Sequence, residues 1–296
     1  MKILLLGKNG QLGWELQRSL TCLGELVALD RHSTTHCGDL SNPAALADTV
    51  RACRPDVIVN AAAYTAVDKA EGDEDMARTI NAQAPAVLAR EASALGALLV
   101  HFSTDYVFDG SGQRAWTESD VPAPLNVYGQ TKLEGEQAIL AVCPRHLIFR
   151  TSWVYAARGG NFARTMLRLA QEGERLTVID DQRGAPTGAD LLADVAAHCI
   201  RQVLRRPGDV GLYHLAASGQ TSWFGYAKHV LDQVWTVQNA TKIVVKEVLA
   251  VPSSAFVTAA ARPLNSRLDT RRLQAVFGLS LPPWQHGVDR LLAEIH

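Results

Sequence analysis

The stretch Lys2-Ile-Leu-Leu-Leu6-Gly7-Lys-Asn-Gly10-Gln-Leu-Gly13 decides how the rest of the chain is read. Ile3 to Leu6 is a short, unbroken apolar run, which suits a strand buried on both faces. It leads directly into glycines spaced Gly-x-x-Gly-x-x-Gly and then into an amphipathic segment from Trp14 to Leu23, so the order is strand, glycine turn, helix. Gly7, Gly10 and Gly13 let the backbone turn tightly and come close to a pyrophosphate. The free amides and positive dipole end of the helix would stabilise its charge. A glycine-rich connection between packed elements has the same spacing and binds nothing, so the next strand has to separate the two readings.

Leu26 to Leu29 is a second apolar run ending in Asp30, where a dinucleotide-binding sheet holds a carboxylate for the adenosine ribose hydroxyls. Arg31 follows at once. Its guanidinium would accept a 2′-phosphate that Asp30 would repel, so NADH and NADPH both stay open. Cys37-Gly-Asp39-Leu40 reads as the end of a short third strand, with Asp39 and Leu40 flanking an adenine or Asp39 serving the turn. Asn42 caps, and Pro43 begins, a helix to about Arg51. Asp56 to Asn60 is a fourth strand, followed by the small residues Ala61 to Thr65 at the edge where such sheets hold ligands. The acidic stretch Asp68 to Asp75 reads as a solvated face leading into a long helix to Leu95 that contains Asn81. Leu98 to Phe102 is a fifth strand ending in Ser103-Thr104-Asp105, and the loop Asp109 to Val127 delivers a helix from Tyr128 to about Leu140. His146 to Thr151 is a sixth strand. Six alternating units predict an α/β fold with a doubly wound parallel sheet, the Rossmann arrangement.

Beyond Trp153 the pattern loosens into a smaller, irregular α/β lobe. A helix near Asn161 to Glu172, the turn Asp180 to Thr187, a helix from Ala189 to Leu204, a strand at Leu212 to Leu215, a helix capped by Thr221 and running to Val234, and an alternating strand from Ile243 to Val248 are expected. The division that follows is a dinucleotide-binding domain over 1–152, with 185–212 returning to it, and a substrate lobe over 153–184 and 213–296.

Tyr128-Gly-Gln-Thr-Lys132 puts a phenol and an ammonium one helical turn apart, on one face. A phenol is a poor acid at neutral pH, and a cation held beside it would favour the phenolate and lower its pKa. In the final lobe, the loop residue Arg262 could bind a pyrophosphate bidentately or form a surface ion pair.

Bulk composition narrows the partners. The formal net charge of -1 over 296 residues provides no field that would gather nucleic acid or an anionic membrane. Five scattered cysteines with no Cys-x-x-Cys argue against a disulfide framework or a thiolate zinc site. His32 and His36 lack a third ligand nearby and read as solvated. The opening apolar run is too short for a signal peptide, and no run is long enough to span a bilayer. A cytoplasmic protein with a small-molecule partner is expected.

With the glycine fingerprint, Asp30, Ser103-Thr104-Asp105 and Tyr128-x-x-x-Lys132 in this order, the chain resembles the extended short-chain dehydrogenase/reductases. Asn60 to Thr65, Ser103 to Gly110, Arg150 to Tyr155, Asp181 to Thr187 and Arg262 to Ser266 extend the resemblance over nearly the whole chain, toward the members that reduce a keto group on a nucleotide sugar. The resemblance implies reduction of the 4-keto group of dTDP-4-dehydro-L-rhamnose by NADH or NADPH, for dTDP-rhamnose biosynthesis. It implies that Tyr128 donates the proton, Lys132 lowers its pKa and holds the nicotinamide ribose, and Thr104 orients the carbonyl. Thr104, Asp105 and Trp153 would face the sugar. Gly10, Gln11, Leu12, Asp30, Asp39, Leu40, Ala63, Tyr64 and Thr65 map onto cofactor contacts. Some relatives form homodimers through Mg²⁺, for which Glu15 and Asp190 are the counterparts, while Leu292 stands where another acid is expected. Three other readings stay open. A 4,6-dehydratase would want a second acid where Tyr106 stands, an epimerase would keep its cofactor bound, and a non-catalytic subunit would resemble the β subunit of methionine adenosyltransferase.

Overall fold

The computed structural model describes residues 1–236 and 243–295. Its centre is a six-stranded parallel sheet of β1 (Lys2–Leu6), β2 (Glu25–Leu29), β3 (Val57–Asn60), β4 (Leu98–Thr104), β5 (His146–Thr151) and β6 (Gly211–His214), in the spatial order β6-β5-β4-β3-β1-β2. The main helices are α1 (Gln11–Thr21), α2 (Pro43–Cys53), α3 (Ala84–Leu95), α4 (Val127–Val142), α5 (Phe162–Glu172), α6 (Ala189–Arg205), α7 (Trp223–Thr236) and α8 (Trp284–Ile295).

Successive strand residues face opposite layers, so each strand supplies two cores. Ile3, Leu5, Val57, Val59 and Val100 pack with Leu16 and Leu20 of α1 and Leu192 and Ile200 of α6. Leu4, Leu6, Ile58 and Leu99 pack on the other face with Leu46 of α2, Leu88 of α3 and Ile139 of α4. Each such side chain, fully buried, contributes about 1.5–3 kcal/mol. That double burial is why the strands read as unbroken apolar runs.

From β1 the chain moves outward to β2, then crosses back to β3 on the other side. The carboxyl ends of β1 and β3 therefore diverge into a crevice, the usual ligand position in such sheets. The second lobe packs α5, α7 and α8 around Met166, Leu167, Tyr226, Val230 and Trp284.

Several local expectations need correction. Cys37 to Leu40 is not a strand: Asp39 accepts the Ser41 and Asn42 amides in a turn, and Thr49 caps the Cys37 carbonyl. A stretch with a single large apolar residue and a glycine has too little to bury as a strand. The sixth place in the sheet is taken by β6, from far along the chain, pairing parallel with β5. The long helix before Leu95 is broken into Val67–Ala70, Glu74–Arg78, a π-helical turn Thr79–Gln83, and α3. Ser222, rather than Thr221, caps α7, accepting the Gly225 amide at 3.0 Å. The strand expected at Ile243 to Val248 lies at Glu247–Val251, where it can pair in parallel with Arg175–Ile179.

Candidate active site

The floor of the crevice is the glycine turn. Gly7 has φ +88°, and a Cβ there would come within 2.9 Å of Ala62. A Cβ on Gly13 would come within 2.0 Å of the Gly7 carbonyl, so only glycine lets α1 start this close to β1. No side chain caps α1. Its first amides and dipole thus point at the crevice, suited to a pyrophosphate. Gln11 presents a buried Oε1 without a partner, an acceptor aimed at a donor from outside the chain.

From here a cleft of about 850 Å³ runs past the ends of β1, β3, β4 and β5. Gly7, Gly10, Gln11, Leu12, Asp30, Arg31, Asp39, Leu40, Ala63 and Thr65 line its first half. Asp30 is held by the Asn9 side chain, the His32 amide and the Ser33 hydroxyl. Partial desolvation works against its charge, but these hydrogen bonds prevail and keep its pKa below the usual value. Two of the sequence-derived cofactor positions lie elsewhere. Gly13 acts through packing, and the Tyr64 hydroxyl donates to Asp73 at 2.9 Å, outside the cleft lining. The loop carrying Tyr64 is pinned by Asn81 of the π-helical turn, which accepts the Tyr64 amide at 2.8 Å and donates to its carbonyl at 3.1 Å.

The second half of the cleft gathers Thr104, Asp105, Tyr128, Lys132 and Trp153. Asn126 caps α4, accepting the Gly129 amide at 2.8 Å, and thereby sets where Tyr128 emerges. A Cβ on Gly129 would strike the Tyr106 carbonyl at 2.2 Å, so glycine beside the tyrosine lets α4 press onto the cleft wall. Tyr106 meets the Tyr128 ring edge-on at 5.6 Å. Burial pushes the Tyr128 phenol up to about 12, against the opposing effect of its hydrogen bond with Thr104. This corrects the expectation that Lys132 lowers it. The Lys132 ammonium position is committed to the Phe102 carbonyl at 2.6 Å and to His101 at 3.1 Å. Burial in turn brings Lys132 down to about 8.

Asp105 is buried with Thr104 donating to it at 3.2 Å, and its Oδ2 has no partner. Burial raises its pKa to about 7, against the hydrogen bonds from Ser266 and Thr104. An acid with a raised folded-state pKa favours the fold fully below its unfolded value, and that contribution is lost as pH rises toward 7. Asp105→Asn should therefore gain stability relative to the parent across this window, by about 1.4 kcal/mol per pH unit. Urea unfolding at pH 5 and pH 8 measures it, and an unchanged difference between the two would exclude a raised Asp105 pKa.

Trp153 closes the far end in a left-handed backbone conformation (φ +49°), stacked on Trp223 with ring centroids 3.7 Å apart. Trp223 donates to Gln182 at 3.0 Å. Arg262 does not line the cleft; it grips Asp68 at 2.5 Å in an ion pair, so of its two sequence readings the pair is the one realised. The acidic stretch is accordingly more than a solvated face. Asp68 also accepts the Ala260 amide, and Glu71 accepts the Val127 amide at the start of α4.

Glu15 and Asp190 do not fit a metal. Arg290 lies 3.4 Å from the Asp190 carboxylate, Glu15 pairs with Arg18 at 3.6 Å, and the expected third acid is the buried Leu292. Among the described residues no group of three His, Cys, Asp or Glu could hold an ion.

The family model for the RmlD substrate binding domain matches residues 1–296. The chain belongs to the RmlD family. Among curated relatives, the dTDP-4-dehydrorhamnose reductase of Escherichia coli strain K12 is 56% identical, covering 100% of this chain and 98% of its own. A crystal structure of a dTDP-4-dehydrorhamnose reductase from Clostridium acetobutylicum superposes with TM-score 0.89 at 35% identity, over 99% of both chains. Another, from Bacillus anthracis in complex with NADP, gives TM-score 0.87 at 34% identity, again over 99% of both.

In this RmlD-family chain, sequence reasoning passed over several residues of the cleft. Ser103 and Thr151 hold buried hydroxyl oxygens without partners, and Trp223 backs Trp153. Ser103 sat inside a quoted motif, so its signal was present; nothing near Trp223 pointed to a site. Asn60 likewise opened a quoted motif, whereas His101, which it contacts beneath Lys132, left no local pattern.

Proposed function

We infer that the protein is an NAD(P)H-dependent oxidoreductase that reduces the 4-keto group of dTDP-4-dehydro-L-rhamnose to dTDP-L-rhamnose. One observation carries the reading beyond family membership: a single cleft runs from an uncapped glycine turn to a buried phenol, threonine and lysine. Bound at the glycine turn, a reduced nicotinamide cofactor supplies the hydride. Thr104 orients the sugar carbonyl and stabilises negative charge growing on its oxygen. Tyr128, fully protonated at neutral pH, donates a proton to that oxygen. Lys132 holds the nicotinamide ribose, Asp105 and Trp153 face the sugar, and Arg262 braces the loop beside them through Asp68.

Tyr106 follows Asp105 where a dehydratase would need a second acid, which favours reduction over elimination. The test is to follow nicotinamide absorbance with NADH or NADPH and a panel of 4-keto nucleotide sugars. Oxidation only with the dTDP-4-keto-6-deoxy sugar is expected, and none under either cofactor would refute the reading.

Both cofactors should be accepted, because Asp30 favours a free 2′-hydroxyl while Arg31 beside it offsets repulsion of a phosphate. Asp30→Ala should shift the ratio of kcat/KM values toward NADPH, and an unchanged ratio would remove the carboxylate from that role. We further assign the central-sheet unit to cofactor binding and the lobe of α5, α7 and α8 to the sugar nucleotide; the boundary expected at 212/213 does not hold, because it would cut β6, and Leu273 and Phe277 also pack into the core of the sheet. The free state of all five cysteines suits a reducing compartment such as the cytoplasm. Among the described residues no helix is long and apolar enough to cross a membrane.

A further inference from the structure

At the glycine-turn end of the cleft, the loop Ala156-Ala-Arg158-Gly-Gly-Asn161 leads into α5 and lies against the first turn of α1. The Arg158 guanidinium stacks over the Trp14 ring, 3.9 Å from its centroid. Gly159, at φ +83°, comes so near α1 that a Cβ on it would sit 3.3 Å from Gln11 Cγ. Both ends of the loop are tied down. The Asn161 side chain donates to the Ala156 carbonyl at 2.7 Å and caps α5 by accepting the Arg164 amide, and the Arg164 guanidinium donates to the Ala157 carbonyl. The tip, Arg158 to Gly160, is exposed.

Arg158 has no anion of its own. Among the described residues no carboxylate forms an ion pair with it, and Glu15, next to its stacking partner in sequence, pairs with Arg18 at 3.6 Å. A cation resting on an exposed ring is held weakly, and a charge-assisted, bidentate contact with phosphate oxygens readily replaces that contact. Helical side chains lean toward the helix N-terminus, so the Trp14 ring keeps the guanidinium beside the turn that begins at Gln11. That turn carries the free amides of α1, and Gln11 lines the cleft.

We propose that Arg158 is a cofactor-binding residue: its guanidinium leaves the Trp14 face and donates to the diphosphate of the nicotinamide dinucleotide, closing the 156–161 loop over the glycine turn. The amides and dipole of α1 supply only partial positive charge to a group that bears two negative ones, and a full positive charge completes the match. A nucleotide sugar carries a diphosphate as well. The contacts of Arg158 and Gly159 are with Trp14 and Gln11, on the helix that starts at the glycine turn, which favours the cofactor's diphosphate over the sugar nucleotide's.

The inference rests on the reading of the glycine turn as a nicotinamide cofactor site, and its test needs no turnover. Titration calorimetry gives dissociation constants for NADH, NADPH and dTDP on the parent, R158A and R158K. R158A should bind NADH and NADPH alike about ten- to a hundredfold more weakly, the usual worth of hydrogen bonds to a charged group, and should bind dTDP as the parent does. R158K, which keeps the charge without the planar fork, should recover part of the loss. A loss confined to NADPH would move the contact to the 2′-phosphate and overturn the proposal, as would a loss confined to dTDP. R158A that binds all three like the parent would leave Arg158 as packing for Trp14 and overturn it too. A parent that binds neither dinucleotide would overturn the cofactor reading together with the clamp, so the two failures are told apart.

Discussion

Tyr128→Phe is expected to lower the saturated rate of hydride transfer by about a hundredfold to ten-thousandfold, roughly 3–5 kcal/mol in the barrier. The change deletes one oxygen and keeps the ring, so the edge-on contact with Tyr106 survives and the loss falls on chemistry. With its pKa pushed up to about 12, the phenol is in the form a proton donor needs, and its hydrogen bond with Thr104 aims it at the oxygen that Thr104 would orient. Cofactor affinity should change far less. Single-turnover transfer measured beside the dissociation constant for NADPH separates the two effects. A saturated rate within a few-fold of the parent would mean that Tyr128 serves structure only.

The second large effect lies one layer below. Glu136 and Arg150 form a bidentate pair at 2.6–3.2 Å with side chains 1% and 4% exposed, linking α4 to β5 under the catalytic face. Arg150 also lies over the Phe108 ring at 5.0 Å. Arg150→Leu leaves Glu136 as a buried, unpaired carboxylate and should cost about 3–5 kcal/mol of folding stability. Removing both charges should cost less than removing one, because the expense is the stranded charge and not the loss of the pair. Urea unfolding of Arg150→Leu, Glu136→Leu and the double variant gives the comparison. A double variant less stable than either single one would show that the pair is itself the main source of stability.

Much of this was legible in the chain because it is locally encoded. Unbroken apolar runs at Ile3 to Leu6 and Val57 to Val59 announce strands covered on both faces, the glycine spacing announces an anion-binding turn, and Asn42-Pro43 announces a capped helix. The same spacing put Tyr128 and Lys132 on one helical face, and both line the cleft. These features depend on a residue and its near neighbours, so order along the chain suffices to read them.

Only the tertiary structure decided the rest, because it depends on groups far apart in sequence and on exclusion of water. Cys37 to Leu40 failed as a strand, and Gly211–His214 took the sixth place in the sheet through pairing with β5. Arg262 met Asp68 across 194 positions, and Trp223 came to back Trp153. The sign of the Tyr128 shift shows the reason most plainly. Spacing alone says that a lysine one turn away should lower a phenol's pKa, but burial raises it and the lysine nitrogen is turned to Phe102 and His101. Desolvation, and the direction in which a buried donor points, are properties of the packed interior and have no counterpart in the order of residues.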